Sequence, residues 1–233
     1  MEEKTSNDSS DPGSSGVRFV EDPKVSFTAF KLTASPSMKA KEGRKMIRQF
    51  IAHMSITYMR FLHNTGHRGA IVYDIDDTLV TSVPRSDEDS GYIDGFEYLN
   101  EMFHSVRDLF TVYIVTARPD SDKVHVMNML KRNNIIIDPD RLRMVPEDDY
   151  HNGPSDVTQK VKWEEHLKID RECRTRNETI LAKFGDRLWD VANIDSLSTY
   201  LKHIPHNSAY VFWDTHPEMR GCMSCKLVGS PRG

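Results

Sequence analysis

The chain has 233 residues and a formal net charge of −4, which allows one full-sized domain with an extension and gives no overall attraction for nucleic acid. It has no apolar run long enough to cross a bilayer, and its start lacks the basic and apolar regions of a secretory signal. Because three cysteines cannot build a disulfide framework, we expect a cytoplasmic protein with no membrane contact.

The first segment, residues 1–36, is rich in Ser, Asp, Glu, Pro and Gly and shows no hydrophobic period. Such a segment buries too little apolar surface to offset the entropy lost on ordering. We therefore predict a disordered or loosely docked polar tail, followed by one domain over residues 37–233. Apolar residues at helical spacing predict that this domain begins with a long amphipathic helix within residues 37–66.

Short apolar runs then alternate with helical patterns. Strands are predicted at residues 70–73, 111–115, 142–145 and 179–184, and helices at residues 96–110, 121–132 and 157–174. Almost wholly apolar strands separated by helices are typical of a parallel sheet covered on both faces. We predict an α/β Rossmann-like three-layer sandwich with a central, mainly parallel sheet. Ligands of such sheets bind beyond the carboxyl ends of the strands, so the residues there are the candidates for a site.

Three aspartates follow the first of these strands, in the segment Asp74-Ile75-Asp76-Asp77-Thr78. Side chains alternate along an extended chain, so Asp74 and Asp76 point the same way. Two carboxylates in one small site repel each other unless a cation or a proton relieves the repulsion. The arrangement therefore suits a divalent ion that prefers oxygen ligands.

Three further segments at this edge of the predicted sheet carry polar residues. These are Thr116 and Arg118 after the second strand, Lys160 and Lys162 near the start of a helix, and Asp186 and Asp190 after the fourth strand. Helix capping or a solvated surface explains each of them taken alone. Their order and their common position at one sheet edge indicate a single site.

The motif DxDxT, a strand ending in Thr, a Lys and the motif GDxxxD together resemble the haloacid dehalogenase superfamily of phosphatases and phosphotransferases. The resemblance runs over residues 70–190, about half the chain, and is closest to acid-phosphatase-like members. It implies a Mg²⁺-dependent phosphomonoesterase that works through an aspartyl-phosphate intermediate. The gaps between the motifs are too short for a large cap domain, so we expect only a small flap at residues 81–95.

The resemblance also implies a role for each matching residue. Asp74 would be the nucleophile, and Asp76 the general acid that protonates the leaving oxygen and later activates water. Thr116 would hold the transferring phosphoryl group. Lys160 would neutralise the charge on that group and on Asp74.

Lys160 is favoured over Lys162 because Lys160, Trp163 and Leu167 share one helical face, which we expect to turn inward. Lys162 is the alternative. The implied Mg²⁺ ligands are Asp74, the main-chain carbonyl of Asp76, Asp186 and Asp190. The expected substrate contacts are Thr78, Arg118 and the flap residue Arg85.

Two other functions remain open at this point. The segment Ser155-Asp156-Val157 before Lys160 resembles the phosphatase half of phage polynucleotide kinase, which suggests a polynucleotide 3′-phosphatase or a nucleotidase with the same chemistry. Nucleic acid is therefore a possible substrate, although the net charge does not indicate it. The third hypothesis is a non-catalytic interaction protein on the same scaffold, with the tail as its binding segment. The class of phosphorylated substrate and the oligomeric state stay open.

Overall fold

A computed structural model of the chain describes residues 18–21, 29–34, 40–80, 96–151, 153, 155–193, 209–213 and 222–227. The strands in these ranges are β1 (Arg18–Glu21), β2 (Ala29–Thr33), β3 (Gly69–Tyr73), β4 (Thr111–Pro119), β5 (Leu142–Val145), β6 (Thr179–Gly185), β7 (Ala209–Trp213) and β8 (Met223–Lys226). The α-helices are α1 (Ala40–Asn64), α2 (Phe96–Val106), α3 (Lys123–Arg132) and α4 (Asp156–Arg174). None of these helices is both long and apolar enough to cross a membrane.

All eight strands form one sheet in the order β1-β2-β7-β8-β6-β3-β4-β5. The five strands from β8 to β5 run parallel, whereas β7, β2 and β1 extend the sheet in antiparallel pairings. The predicted mainly parallel α/β sheet is thereby confirmed. Because the five parallel strands point the same way, their carboxyl ends meet at one edge.

Helices cover both faces of the sheet. Along β3, Ile71 and Tyr73 pack into a core with residues of α1, α2 and α3. The intervening residues Ala70 and Val72 pack on the other face, against Trp163 and other residues of α4. This alternation within a wholly buried strand produces the three layers of the predicted Rossmann-like sandwich.

The prediction of a tail over residues 1–36 is wrong for β1 and β2, which lie inside that segment and belong to the sheet. β2 pairs with β7, about 180 residues further along the chain, and the sequence analysis predicted neither strand. Strands of four or five residues are too short to show a clear period of their own, and their conformation depends on their pairing partners. The rest of the tail and the predicted flap at residues 81–95, with Arg85, lie outside the described residues.

Candidate active site

A cavity of about 300 Å³ opens at the carboxyl ends of β3, β4 and β6. Five carboxylates line it, those of Asp74, Asp76, Asp77, Asp186 and Asp190. Three cationic side chains face them, those of Arg118, Lys162 and Arg187. The structure therefore brings together all the predicted aspartates and Arg118, which follows the second predicted strand.

Asp74 continues the line of β3, and its backbone N–H donates to the carbonyl of Phe184 on β6 over 2.8 Å. The chain then turns sharply, with Asp77 at a φ of +55° and its N–H bonded to the carbonyl of Val80 over 2.8 Å. Aspartate is one of the few residues that tolerate this left-handed conformation. The turn holds Asp74 and Asp76 at the edge of the sheet, where Asp74 is only 5% exposed.

Asp186 and Asp190 are brought together by the close turn after β6. A Cβ atom on Gly185 would lie 2.2 Å from the Cβ of Asp190, so only glycine fits at this position. The N–H of Arg187 donates to Oδ2 of Asp190 over 2.8 Å and holds the turn. The Gly185 backbone thus lies directly against Asp190, which explains why the motif GDxxxD begins with glycine.

Asp74, Asp186 and Asp190 each offer an oxygen, and these oxygens lie within 4.8 Å of one another. Burial, and then the neighbouring carboxylate of Asp190, raise the pKa of Asp74 well above its ordinary value. Burial, followed by Asp190 and Asp77, likewise raises the pKa of Asp186 to about 8. Crowded, buried oxygen ligands of this kind fit a small divalent cation such as Mg²⁺, which would relieve their repulsion.

Lys162 lies inside the carboxylate cluster. Its Nζ is 2.5 Å from Oδ1 of Asp74 and 2.5 Å from Oδ1 of Asp190, and the residue is 2% exposed. Burial alone would lower the pKa of Lys162, but the carboxylates of Asp190 and Asp74 raise it above its ordinary value. The ammonium group therefore stays charged between two of the candidate metal ligands.

The inward placement predicted for Lys160 is wrong, because Lys160 is exposed to solvent. The inner face of α4 carries Lys162, Trp163 and His166, whereas Leu167 is only half-buried. Two residues along a helix correspond to a rotation of about 200° about its axis, so Lys160 and Lys162 face opposite ways. The buried face of α4 is thus centred on Lys162, Trp163 and His166, and Leu167 lies at its border.

The Arg118 side chain forms an ion pair with Asp76 in the wall of the cavity. Its Nε and Nη2 donate to the two oxygens of Asp76 over 2.9 and 2.6 Å. Its backbone N–H donates to Oγ1 of Thr116 over 3.3 Å. Thr116 and Thr78 are both buried, and their expected contacts with a substrate stay predictions.

Several residues in or beside the cavity were not predicted from the sequence. Arg187 and Trp189 lie within the GDxxxD segment, and the Arg187 guanidinium is 5.4 Å from the centre of the Trp189 ring. Tyr150 reaches the cavity from the segment between β5 and α4, which no motif marked. Lys226 on β8 is buried near the cluster, and its burial lowers its pKa to about 8 although Asp186 opposes this effect.

Comparisons with known proteins assign no family to this arrangement. No protein-family model matches the chain, and no curated protein matches it in sequence. The functional conclusion therefore depends on the residues of the site and on their geometry.

The affinity for Mg²⁺ is expected to rise between pH 6 and pH 8. Below its pKa of about 8 the Asp186 carboxyl group is protonated, so a bound cation must displace that proton. The pKa of the neighbouring candidate ligand Asp74 is raised as well, so this residue also contributes to proton release. For each displaced proton the affinity rises by up to about tenfold per pH unit, until the pH exceeds the pKa of that ligand. Isothermal titration calorimetry in two buffers of different ionisation enthalpy measures both the affinity and the number of protons released.

The matched control for this titration is Asp108→Asn, which removes an exposed carboxylate outside the cavity. It should bind Mg²⁺ with the affinity and pH dependence of the unchanged chain, whereas Asp186→Asn should bind much more weakly at every pH. An affinity that does not change over this range, with no proton released, contradicts the prediction.

Proposed function

We propose that this chain is a Mg²⁺-dependent phosphomonoesterase of the haloacid dehalogenase superfamily, with an acid-phosphatase-like organisation and no large cap. The observation that carries the proposal is the buried Lys162 ammonium between Asp74 and Asp190, beside the third carboxylate of Asp186. Such a site can bring a carboxylate nucleophile close to a phosphate dianion, because positive charge is already in place between them.

In this mechanism an oxygen of Asp74 attacks phosphorus, and the bond from phosphorus to the alcohol oxygen breaks. In the reactive complex Asp76 carries a proton and has released one of its two bonds to Arg118. Asp76 gives this proton to the alcohol oxygen, and the alcohol leaves. Asp76 then accepts a proton from a water molecule, which attacks the phosphorus of the aspartyl phosphate. Inorganic phosphate is released, and Asp74 returns to its carboxylate form.

The remaining residues hold charges and orient groups. Lys162 takes the role that the sequence analysis gave to Lys160, because its ammonium group reaches Asp74. Arg118 fixes the direction of the Asp76 carboxylate. Mg²⁺, when held by the carboxylates of the site, would supply further positive charge to stabilise the transferring phosphoryl group. Its ligands would be Asp74, Asp186 and Asp190, with the main-chain carbonyl of Asp76 as the fourth protein ligand.

The direct test is turnover of p-nitrophenyl phosphate by the full chain. Activity is expected with Mg²⁺, and chelation should lower it at least about 100-fold, reversibly on re-addition of Mg²⁺. Activity that survives chelation would exclude the metal-dependent mechanism. A folded chain that hydrolyses no phosphate monoester with Mg²⁺ would support the non-catalytic interaction protein instead.

A further inference from the structure

Two aromatic side chains stand in the wall of the cavity, those of Tyr150 and Trp189, and both are partly exposed. Neither has a task in the phosphoryl-transfer mechanism. The Trp189 ring is held in place by the guanidinium of Arg187, which itself lies 3.5 Å from the carboxylate of Asp186. One wall beside the candidate metal ligands is therefore a preplaced aromatic surface.

The sheet order separates these two side chains. Trp189 follows β6 and Tyr150 follows β5, with β3 and β4 between those strands. Three strand spacings correspond to about 14 Å between β6 and β5 at this edge of the sheet. Asp74 and Asp76 lie at the end of β3, with Trp189 on one side of them and Tyr150 on the other. A cavity of about 300 Å³ is large enough for a small ligand with a ring.

A group of acidic residues lies next to Tyr150. This acidic rim consists of Asp120, Asp122, Glu147, Asp148 and Asp149, and all but the half-buried Asp149 are exposed. The two loops that form it are joined, since the N–H of Glu147 donates to Oδ1 of Asp120 over 3.0 Å and Ser121 donates to the Glu147 carboxylate. None of these residues lines the cavity, but besides Asp76 and Asp74, Asp122 is close enough to the lining residue Arg118 to raise its pKa. The acidic rim therefore repels any part of a substrate that carries further negative charge on this side.

From these observations we propose that the substrate is a phosphate monoester whose alcohol carries one flat aromatic ring and no second phosphate. This inference rests on the proposed function. The phosphate lies against Lys162 and the aspartates, and the ring contacts Trp189 or Tyr150. Nucleoside monophosphates and the amino acid O-phosphotyrosine share this chemistry. The acidic rim disfavours nucleoside diphosphates and the phosphorylated ends of oligonucleotides.

The test compares kcat/KM of the full chain for adenosine monophosphates, O-phosphotyrosine, glucose 6-phosphate and a 3′-phosphorylated oligonucleotide. At least one of the two ring-bearing monoesters should exceed glucose 6-phosphate and the oligonucleotide by about tenfold or more, as expected for stacking on an aromatic side chain. The faster of these two substrates shows whether the ring is that of a nucleoside or that of tyrosine. Equal values for the sugar phosphate, or a faster oligonucleotide, would overturn the inference but leave the phosphatase intact. Hydrolysis of none of the four contradicts the proposed function itself.

Variants locate the contact. Trp189→Leu and Tyr150→Leu should each be examined, and at least one should reduce the ratio of kcat/KM for the ring-bearing substrate to kcat/KM for glucose 6-phosphate about tenfold, mainly through KM for the ring-bearing substrate. Phe61→Leu is the matched control, because Phe61 is an exposed ring on α1 that does not line the cavity. A preference that survives in both variants refutes the aromatic contact. If either variant fails to fold, the substrate comparison with the unchanged chain still decides.

Discussion

Asp74→Asn is expected to lower phosphate-monoester hydrolysis by at least about 10⁴-fold, because an amide oxygen cannot form the aspartyl phosphate. The fold should survive the change. Burial opposes the charged form of Asp74, and in the variant Lys162 keeps Asp190 as its carboxylate partner, so a neutral amide of the same shape is tolerated there. Steady-state turnover of p-nitrophenyl phosphate measures the loss, and thermal unfolding followed by circular dichroism measures the stability.

Asp108→Asn is the control for Asp74→Asn, since Asp108 is an exposed carboxylate that does not line the cavity. Its activity should stay within about twofold of the unchanged chain, as is usual for surface positions. The unchanged chain should also form an acid-stable, hydroxylamine-sensitive phosphoprotein during turnover, and Asp74→Asn should not. A folded Asp74→Asn variant with activity within tenfold of the unchanged chain would exclude Asp74 as the nucleophile.

Lys162→Met is expected to lower turnover by about 100- to 1000-fold, because it removes the positive charge between the nucleophile and the incoming phosphate. It also leaves Asp74 and Asp190 buried without their cationic partner. Breaking a buried pair in this way costs about 3–5 kcal/mol of the free energy of unfolding. Mg²⁺ should restore part of that stability, since it binds carboxylates that no longer have the ammonium group between them.

Lys160→Met, two positions earlier on the same helix, is the matched control for Lys162→Met. Lys160 is exposed, so its replacement should change turnover and stability very little. Lys162→Arg tests whether charge alone suffices. A loss of activity in Lys160→Met together with an active Lys162→Met would assign the catalytic role to Lys160.

The interior of the fold was accessible from the sequence because it depends on local patterns. A continuous apolar run such as residues 70–73, which lies within β3, needs no knowledge of its neighbours to be recognised. The aspartates that follow β3 and β6 can likewise be recognised from the sequence without knowledge of their neighbours in space. Once the strands are parallel, their carboxyl ends must meet, so the gathering of Asp74, Asp186 and Asp190 follows from order along the chain.

Sequence by itself thus determined the parallel centre of the sheet and the carboxylate cluster at its edge. Tertiary structure alone decided which lysine enters that cluster, since the rotation of α4 depends on how Trp163 and its neighbours pack against the sheet. It also decided the pairing of Arg118 with Asp76 and the position of β1 and β2 at the antiparallel end of the sheet. These features depend on contacts between residues far apart in the chain. Such contacts form only when the chain folds, so no local sequence pattern predicts them.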